Sequence, residues 1–137
     1  MIEIQDIHRS FDGHQVLNGI NLTIHTGETT VIIGRSGCGK SVLLKHIIGL
    51  LKPDSGRILI NGKDATRMDE KELSALRMKF GMLFQGAALF DSLTIFENVA
   101  FSMIEHTTMD RETMKKRVKE CLSLVGLKNI EDKKLKE

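Results

Sequence analysis

No long apolar run breaks this sequence of 137 residues, and nothing in it approaches the roughly 18 apolar residues that a membrane-crossing helix needs. The opening Met1-Ile2-Glu3-Ile4 lacks the pattern of a secretory signal, so the expected location is the cytoplasm, with any membrane attachment made through a partner. Cysteine is scarce: Cys38 and Cys121 stand in unrelated contexts and suggest no disulfide framework. An excess of one charge is missing too. A net charge of +2 is too small to argue for a nucleic-acid partner. Near the end, Lys133, Lys134 and Lys136 alternate with Glu131, Asp132 and Glu137, which predicts a solvated helical face rather than a binding tail. His8, His14, His25, His46 and His106 have no ligand-like spacing and are expected to be non-catalytic. There is no internal repeat and no low-complexity linker. What remains is the make-up of one globular domain, 41% hydrophobic and 28% charged, long enough to bury a core.

Against this plain background, Gly34-Arg35-Ser36-Gly37-Cys38-Gly39-Lys40-Ser41 completes the pattern GxxxxGK(S/T). It sits between a strand-like run, Thr30-Val31-Ile32-Ile33, and a helix-like run, Val42 to Ile48, which is the context the pattern requires. Glycines let the backbone curl so that successive N–H groups converge on an oxyanion, and the start of the next helix adds partial positive charge. Lys40 is expected to reach the β- and γ-phosphates, and the Ser41 hydroxyl to hold Mg²⁺. At ordinary residue frequencies these fixed positions arise by chance in roughly one such chain in a few hundred. The competing explanation is a glycine-rich turn that binds nothing; the flanking runs favour a nucleotide site. Cys38 is expected to be a spacer in this loop, though one whose alkylation would block it.

The first third of the chain alternates like β-structure, with Ile2, Ile4 and Ile7, then Val16-Leu17, then Ile20, Leu22 and Ile24. Asp12-Gly13 and His25-Thr26-Gly27-Glu28 signal turns. Lys40 to Leu51 reads as a helix closed by Pro53, and Arg57-Ile58-Leu59-Ile60 as a strand ending at the Asn61-Gly62 turn. Asp69 with Glu72 forms a capping box for a helix to about Lys79. A buried strand is expected over Phe80-Gly81-Met82-Leu83-Phe84, ending at Gln85. Thr94 with Glu97 is a second capping box, opening a helix to roughly Ile104. Asp110 starts an amphipathic helix with Met114, Val118, Cys121 and Leu122 on its apolar side, ending at Gly126. The phosphate loop follows some thirty residues of β-structure, which argues against a small-molecule kinase.

These residues together resemble the ATP-binding subunit of an ABC transporter, over essentially the whole chain. Phe11 falls where that family places an aromatic, Pro53-Asp54-Ser55-Gly56-Arg57-Ile58 with Asn61-Gly62 resembles its "PxSGxI…G" strand pair, and Leu93-Thr94-Ile95-Phe96-Glu97-Asn98-Val99 its "LTVxENV" segment. Gln85 after an apolar strand is similar to its Q-loop glutamine. The run Gln85-Gly86-Ala87-Ala88-Leu89-Phe90-Asp91-Ser92-Leu93-Thr94 is close to that of the Mla/Mce-type phospholipid and sterol transporters, with Gly86-Ala87 replacing Ser-Gly.

The resemblance implies an α/β fold: a truncated P-loop NTPase of ABC type, with an N-terminal β-layer and phosphate-loop core over 1–84 and a Q-loop and incipient helical subdomain over 85–137. It implies that Ser36, Gly37, Cys38, Gly39, Lys40 and Ser41 hold ATP, that Phe11 stacks on the base, and that Ser41 and Gln85 serve Mg²⁺. Lys40 and Gln85 would carry the catalytic roles, Gln85 also acting as hinge to the helical subdomain. For Phe11 the alternative is an ordinary core phenylalanine; for Gln85, a turn glutamine. The partners implied are integral-membrane permease subunits, a second ATP-binding subunit in a dimer and lipid-binding accessory proteins, with no nucleic acid. The location implied is the cytoplasmic face of the inner membrane, held there through the permease.

The family's LSGG signature, Asp-Glu strand end and switch histidine do not occur in these residues. The expectation is therefore a piece of a longer ATPase, of marginal stability and negligible hydrolysis alone. The alternatives are a non-catalytic binding module and a soluble ABC ATPase of translation or DNA repair.

Overall fold

Alternating isoleucines build the first layer. In a computed structural model that describes residues 1–86 and 88–135, β1 (Ile2–Phe11) runs antiparallel to β2 (His14–Ile24), pairing Ile2 with Ile24 and Ile4 with Leu22. The connection is Asp12-Gly13, both with positive φ (49° and 79°), as a two-residue hairpin of matching twist requires. β3 (Ser55–Ile60) pairs with the other edge of β1, and Asn61-Gly62 returns the chain into the short β4 (Lys63–Asp64). The sheet order is β2-β1-β3-β4.

A bulge explains why Ile4 and Ile7, three apart, are both buried. Asp6 sits at φ 50° between them, the register shifts there on both sides of β1, and the side-chain phase is reset. Gly56 opposite is indispensable, since a side chain at that position would run into the Asp6 carbonyl.

The chain divides into two units, Met1–Gly81 and Met82–Glu137. In the first, α1 (Lys40–Ile47) and α2 (Glu70–Arg77) pack Leu43, Ile47, Leu73 and Leu76 with Ile4, Ile7, Leu17, Ile58 and Ile60 of the sheet. Burying each of these contributes about 1.5–3 kcal/mol relative to leaving it in water. Asp69 and Glu72 exchange their capping hydrogen bonds at 2.8 and 3.1 Å. The helix from Lys40 ends sooner than its apolar pattern suggests. Gly49 adopts φ 71°, and the amides of Gly49 and Leu50 donate to the carbonyls of His46 and Lys45, a glycine-terminated C-cap that stops α1 at Ile47 instead of Leu51.

Two expected strands do not form. Thr30–Ile33 carries the alternation of a strand, with Ile32 turned towards the core and Val31 and Ile33 exposed, yet no described residue pairs with it. The run 80–84 is likewise outside any ladder, and Leu83 is 89% exposed rather than buried. A strand exists only through its neighbour's hydrogen bonds, and among the described residues neither run has such a neighbour.

The second unit is α3 (Ile95–His106) and α4 (Arg111–Leu124), with Ala100, Val118 and Leu122 at its centre and Phe96, Val99, Met103 and Ile130 around them. Thr94 and Glu97 form the expected capping box, and Asp110 accepts from the amides of Glu112 and Thr113 at 3.0 Å. The charged alternation after Ile130 is not a helix. The carbonyls of Glu131 and Lys133 accept from the amides of Phe96 and Ile95, so this segment satisfies the orphan donors of the first turn of α3. Lys136 and Glu137 lie outside the described residues, as does Ala87.

Candidate functional site

The phosphate-loop residues all fall in the first unit, where the chain turns from Ile33 into α1. Gly37 and Gly39 take φ 79° and 95°, and Gly39 is itself the N-cap of α1. That cap offers no side-chain acceptor, and the first turn of α1 has no acidic residue. The orphan amides of the turn are therefore left to an outside acceptor, where the helix dipole favours an anion. Between Glu28 and Asp54 the chain has no acidic residue at all, while Arg35, Lys40, Lys45 and Lys52 are basic.

Lys40 closes the loop on itself. Its ammonium donates to the carbonyls of Gly34 and Arg35 at 2.8 and 2.7 Å, and its Nζ lies 3.8 Å from the Cys38 sulfur. A Cβ on Gly34 would meet that sulfur at 2.6 Å, and one on Gly39 would stand 3.0 Å from the Val16 carbonyl and from Leu17. At Gly39, where φ is 95°, the backbone path favours glycine; at Gly34 a side chain would require the exposed Cys38 side chain to turn away; and β2 presses directly on the loop. Ser36, Gly37, Cys38 and Ser41 are exposed. A set made of amides, the Lys40 ammonium and the Ser36 and Ser41 hydroxyls, without a carboxylate, fits a polyphosphate. Ser41, at the start of α1, supplies a magnesium-type oxygen. That suffices for an ion bound mainly through phosphate oxygens and water. Beside the loop a cleft of about 420 Å³ is lined by Leu17, Ile20, Leu22, Val31, Ile33 and Leu43, with Lys40 at its rim. Its apolar walls suit a packing element, not phosphate.

Phe11 ends β1 at the hairpin tip, 36% exposed. Its strand neighbours approach the loop through β2, where Arg9 pairs with Leu17, the residue that touches Gly39. One face of the ring is covered: the Arg9 guanidinium carbon lies 4.6 Å from the ring centroid. Arg9 in turn donates to Asp54 at 2.6 Å and to the Lys52 carbonyl at 3.3 Å, while the other Asp54 oxygen accepts the Ser10 amide at 2.7 Å. The Ser10 amide above all, and then Arg9, hold the Asp54 carboxyl below its ordinary pKa. In the sequence Asp54 stands out only as part of the Pro53–Ile58 strand-pair resemblance, and Arg9 does not stand out at all. The spacing that could have found it is two, since residues i and i+2 share one face of a strand.

Gln85 belongs to the second unit. It is exposed in a turn, and no strand precedes it. Following it, Asn98 fastens the loop before α3, accepting from the Phe90 amide at 2.8 Å and donating to the Phe90 and Thr94 carbonyls. Phe90 and Phe101 stack with ring centroids 4.9 Å apart. Among the histidines, His46 is buried in α1, with Nδ1 2.7 Å from the Val42 carbonyl. No cluster of metal-binding side chains occurs among the described residues.

The sequence profile described as ABC transporter matches residues 17–137. The chain is 43% identical over 132 residues to the probable ribonucleotide transport ATP-binding protein mkl of Mycobacterium tuberculosis, covering 96% of this chain and 37% of that protein. It is 42% identical to protein TRIGALACTOSYLDIACYLGLYCEROL 3, chloroplastic, of Arabidopsis thaliana, covering 97% of this chain and 38% of the relative. Among solved structures, the dimeric post-hydrolysis state of the ATP-binding cassette MJ0796 bound to ADP and Pi superposes with a TM-score of 0.90 at 31% identity. It covers 99% of this chain and 62% of that one. The chain therefore spans about two-fifths of these curated relatives and three-fifths of the cassette.

Proposed function

The chain belongs to the ABC transporter family, and from that premise we propose that it forms the nucleotide-gripping part of a transport ATPase. One observation carries this: a glycine-shaped loop with free helix-start amides and no acid, in which Lys40 is already folded over the rim. The Lys40 ammonium would exchange its two carbonyl acceptors for phosphate oxygens, a charge-assisted bond in place of neutral ones. The amides from Ser36 to Ser41 would hold the phosphate chain, and the Ser41 hydroxyl would help hold Mg²⁺. The metal, when bound, neutralises charge on the phosphates. The exposed face of Phe11 would carry the base, and Gln85 would act at the hinge to the helical subdomain and near the metal.

The intact protein would hydrolyse ATP as one of a pair of such subunits, peripheral to the cytoplasmic face of the inner membrane through its permease. We propose a lipid, with lipid-binding accessory proteins, as the transported class. The Gln85–Thr94 run and a relative whose name is that of a galactolipid support it, while a relative named for ribonucleotide transport speaks for the rival cargo.

Calorimetry with Mg-ATP on the full-length protein tests the core of this. Lys40→Ala should lower affinity at least tenfold, the size of one lost charge-assisted pair, and abolish turnover. Unchanged binding would overturn the loop assignment. Purification from membranes should bring a permease with the protein, and the lipid or nucleotide retained by that complex decides the cargo.

A further inference from the structure

The side chain that fixes Phe11 is itself fixed from two directions. Asp54 and the Lys52 carbonyl take the Arg9 guanidinium, and Asp54 grips the Ser10 amide as well. The Asp54 amide donates to the His8 carbonyl at 2.9 Å. Three successive residues of β1 are thus stitched to the turn before β3, and Phe11 is the next residue along. The Arg9 side chain is mostly covered, its Nε is buried without a partner, and it packs against the ring while its Nη1 makes the contacts to Asp54 and Lys52. Its charge is already matched by Asp54, which argues against a role as a phosphate ligand. Left alone, a phenylalanine at the end of a strand samples several rotamers. With the Arg9 guanidinium over one face, the ring's freedom is restricted while part of its surface stays exposed.

We propose that Arg9, locked by Asp54, is a positioning residue for the nucleotide base and acts through Phe11. The proposal rests on the loop holding a nucleoside triphosphate with its base on Phe11. A pre-set platform binds better than one that must be ordered on binding, because the rotamer freedom has already been given up. The effect should therefore depend on the presence of a base and be absent for a bare phosphate chain.

Calorimetry on the full-length protein with two ligands, Mg-ATP and Mg-tripolyphosphate, separates the possibilities. Arg9→Met should weaken ATP about three- to tenfold, the range expected for losing one partly covered cation–π contact, and leave tripolyphosphate within about twofold of wild type. Asp54→Asn should move ATP the same way by freeing Arg9, and Arg9→Lys should restore part of the loss. In a Phe11→Ala background, Arg9→Met should have no further effect on ATP, the signature of action through the ring. Equal losses for both ligands, an effect of Arg9→Met that persists without Phe11, or no effect at all would each overturn the proposal. If Arg9→Met melts early, the Arg9→Lys and Phe11→Ala cycle carries the same test. Failure of the underlying site looks different: Lys40→Ala would leave both ligands bound, or Phe11→Ala would leave ATP affinity unchanged.

Discussion

Gly37 and Gly39 both have positive φ, but their surroundings differ, and that difference is measurable. A side chain on Gly37 points into open space, so Gly37→Ala should cost only the backbone strain, about 1–2 kcal/mol. On Gly39 the same change adds a 3.0 Å approach to the Val16 carbonyl, which cannot rotate away. Gly39→Ala should therefore destabilise more than Gly37→Ala, by about 1 kcal/mol or more, in urea unfolding of the full-length protein; equal midpoints would contradict the packing described. Cys38 offers a second check at this scale. It is exposed in the loop, whereas Cys121 is half-buried in α4. A small alkylating reagent should label Cys38 first, Mg-ATP should slow that labelling, and the labelled protein should no longer bind ATP. Mass spectrometry of the two peptides reads the order directly. Labelling of Cys121 first, or no protection by ATP, would count against the loop as the nucleotide site.

Elements that carry their own hydrogen-bond partners were legible from the sequence. The Asp69-Glu72 and Thr94-Glu97 boxes and the Asp110 cap each complete themselves within four residues, and all three open helices where the pattern placed them. Elements that depend on distant partners divide: β1, β2 and β3 form where their alternation placed them, but Thr30–Ile33 has the same alternation and no ladder, and the tail after Ile130 is drawn to the start of α3. The early stop of α1 is local, a glycine cap at Gly49 inside an apolar pattern that runs past it. The loop residues could be named because their pattern is local; the Arg9–Asp54 clamp, 45 residues apart, could not. The caps also set the acid response of the second unit. Thr94 holds the Glu97 carboxyl below its ordinary pKa through its amide and then its hydroxyl, and Thr113 does the same to Asp110 through its hydroxyl and then its amide. For a carboxylate depressed on folding, the stabilisation is complete above the unfolded value, near 4, and is lost as pH falls through the lower folded value. Helicity of α3 and α4 should therefore decline in circular dichroism below about pH 4, and Asp110→Asn should flatten that limb. Thr94→Ala should cost about 1 kcal/mol at neutral pH. An acid limb unchanged by Asp110→Asn would remove the cap from the explanation.

For the molecule as a whole, the telling feature is apolar surface with strand alternation and no strand beside it. Ile33 is 90% exposed, next to the cleft that Leu17, Ile20, Leu22 and Leu43 leave open. No helix among the described residues is long and apolar enough to cross a membrane. The relatives run well beyond the matched span. In a sheet covered on both faces, a strand next to a phosphate loop is buried throughout. Ile33→Lys discriminates between the two situations. In the 137-residue chain the side chain meets water, and the change should alter stability by no more than about 0.5 kcal/mol, while lowering dye binding and self-association by charging a bare edge. In the full-length protein, if the remaining residues pair with Thr30–Ile33, the same lysine sits in a core, and the loss should reach several kcal/mol. Urea unfolding of the two proteins side by side gives the answer. Equal small effects would mean that this edge is solvent-facing in the longer protein too, and the cleft beside the phosphate loop would then need another occupant.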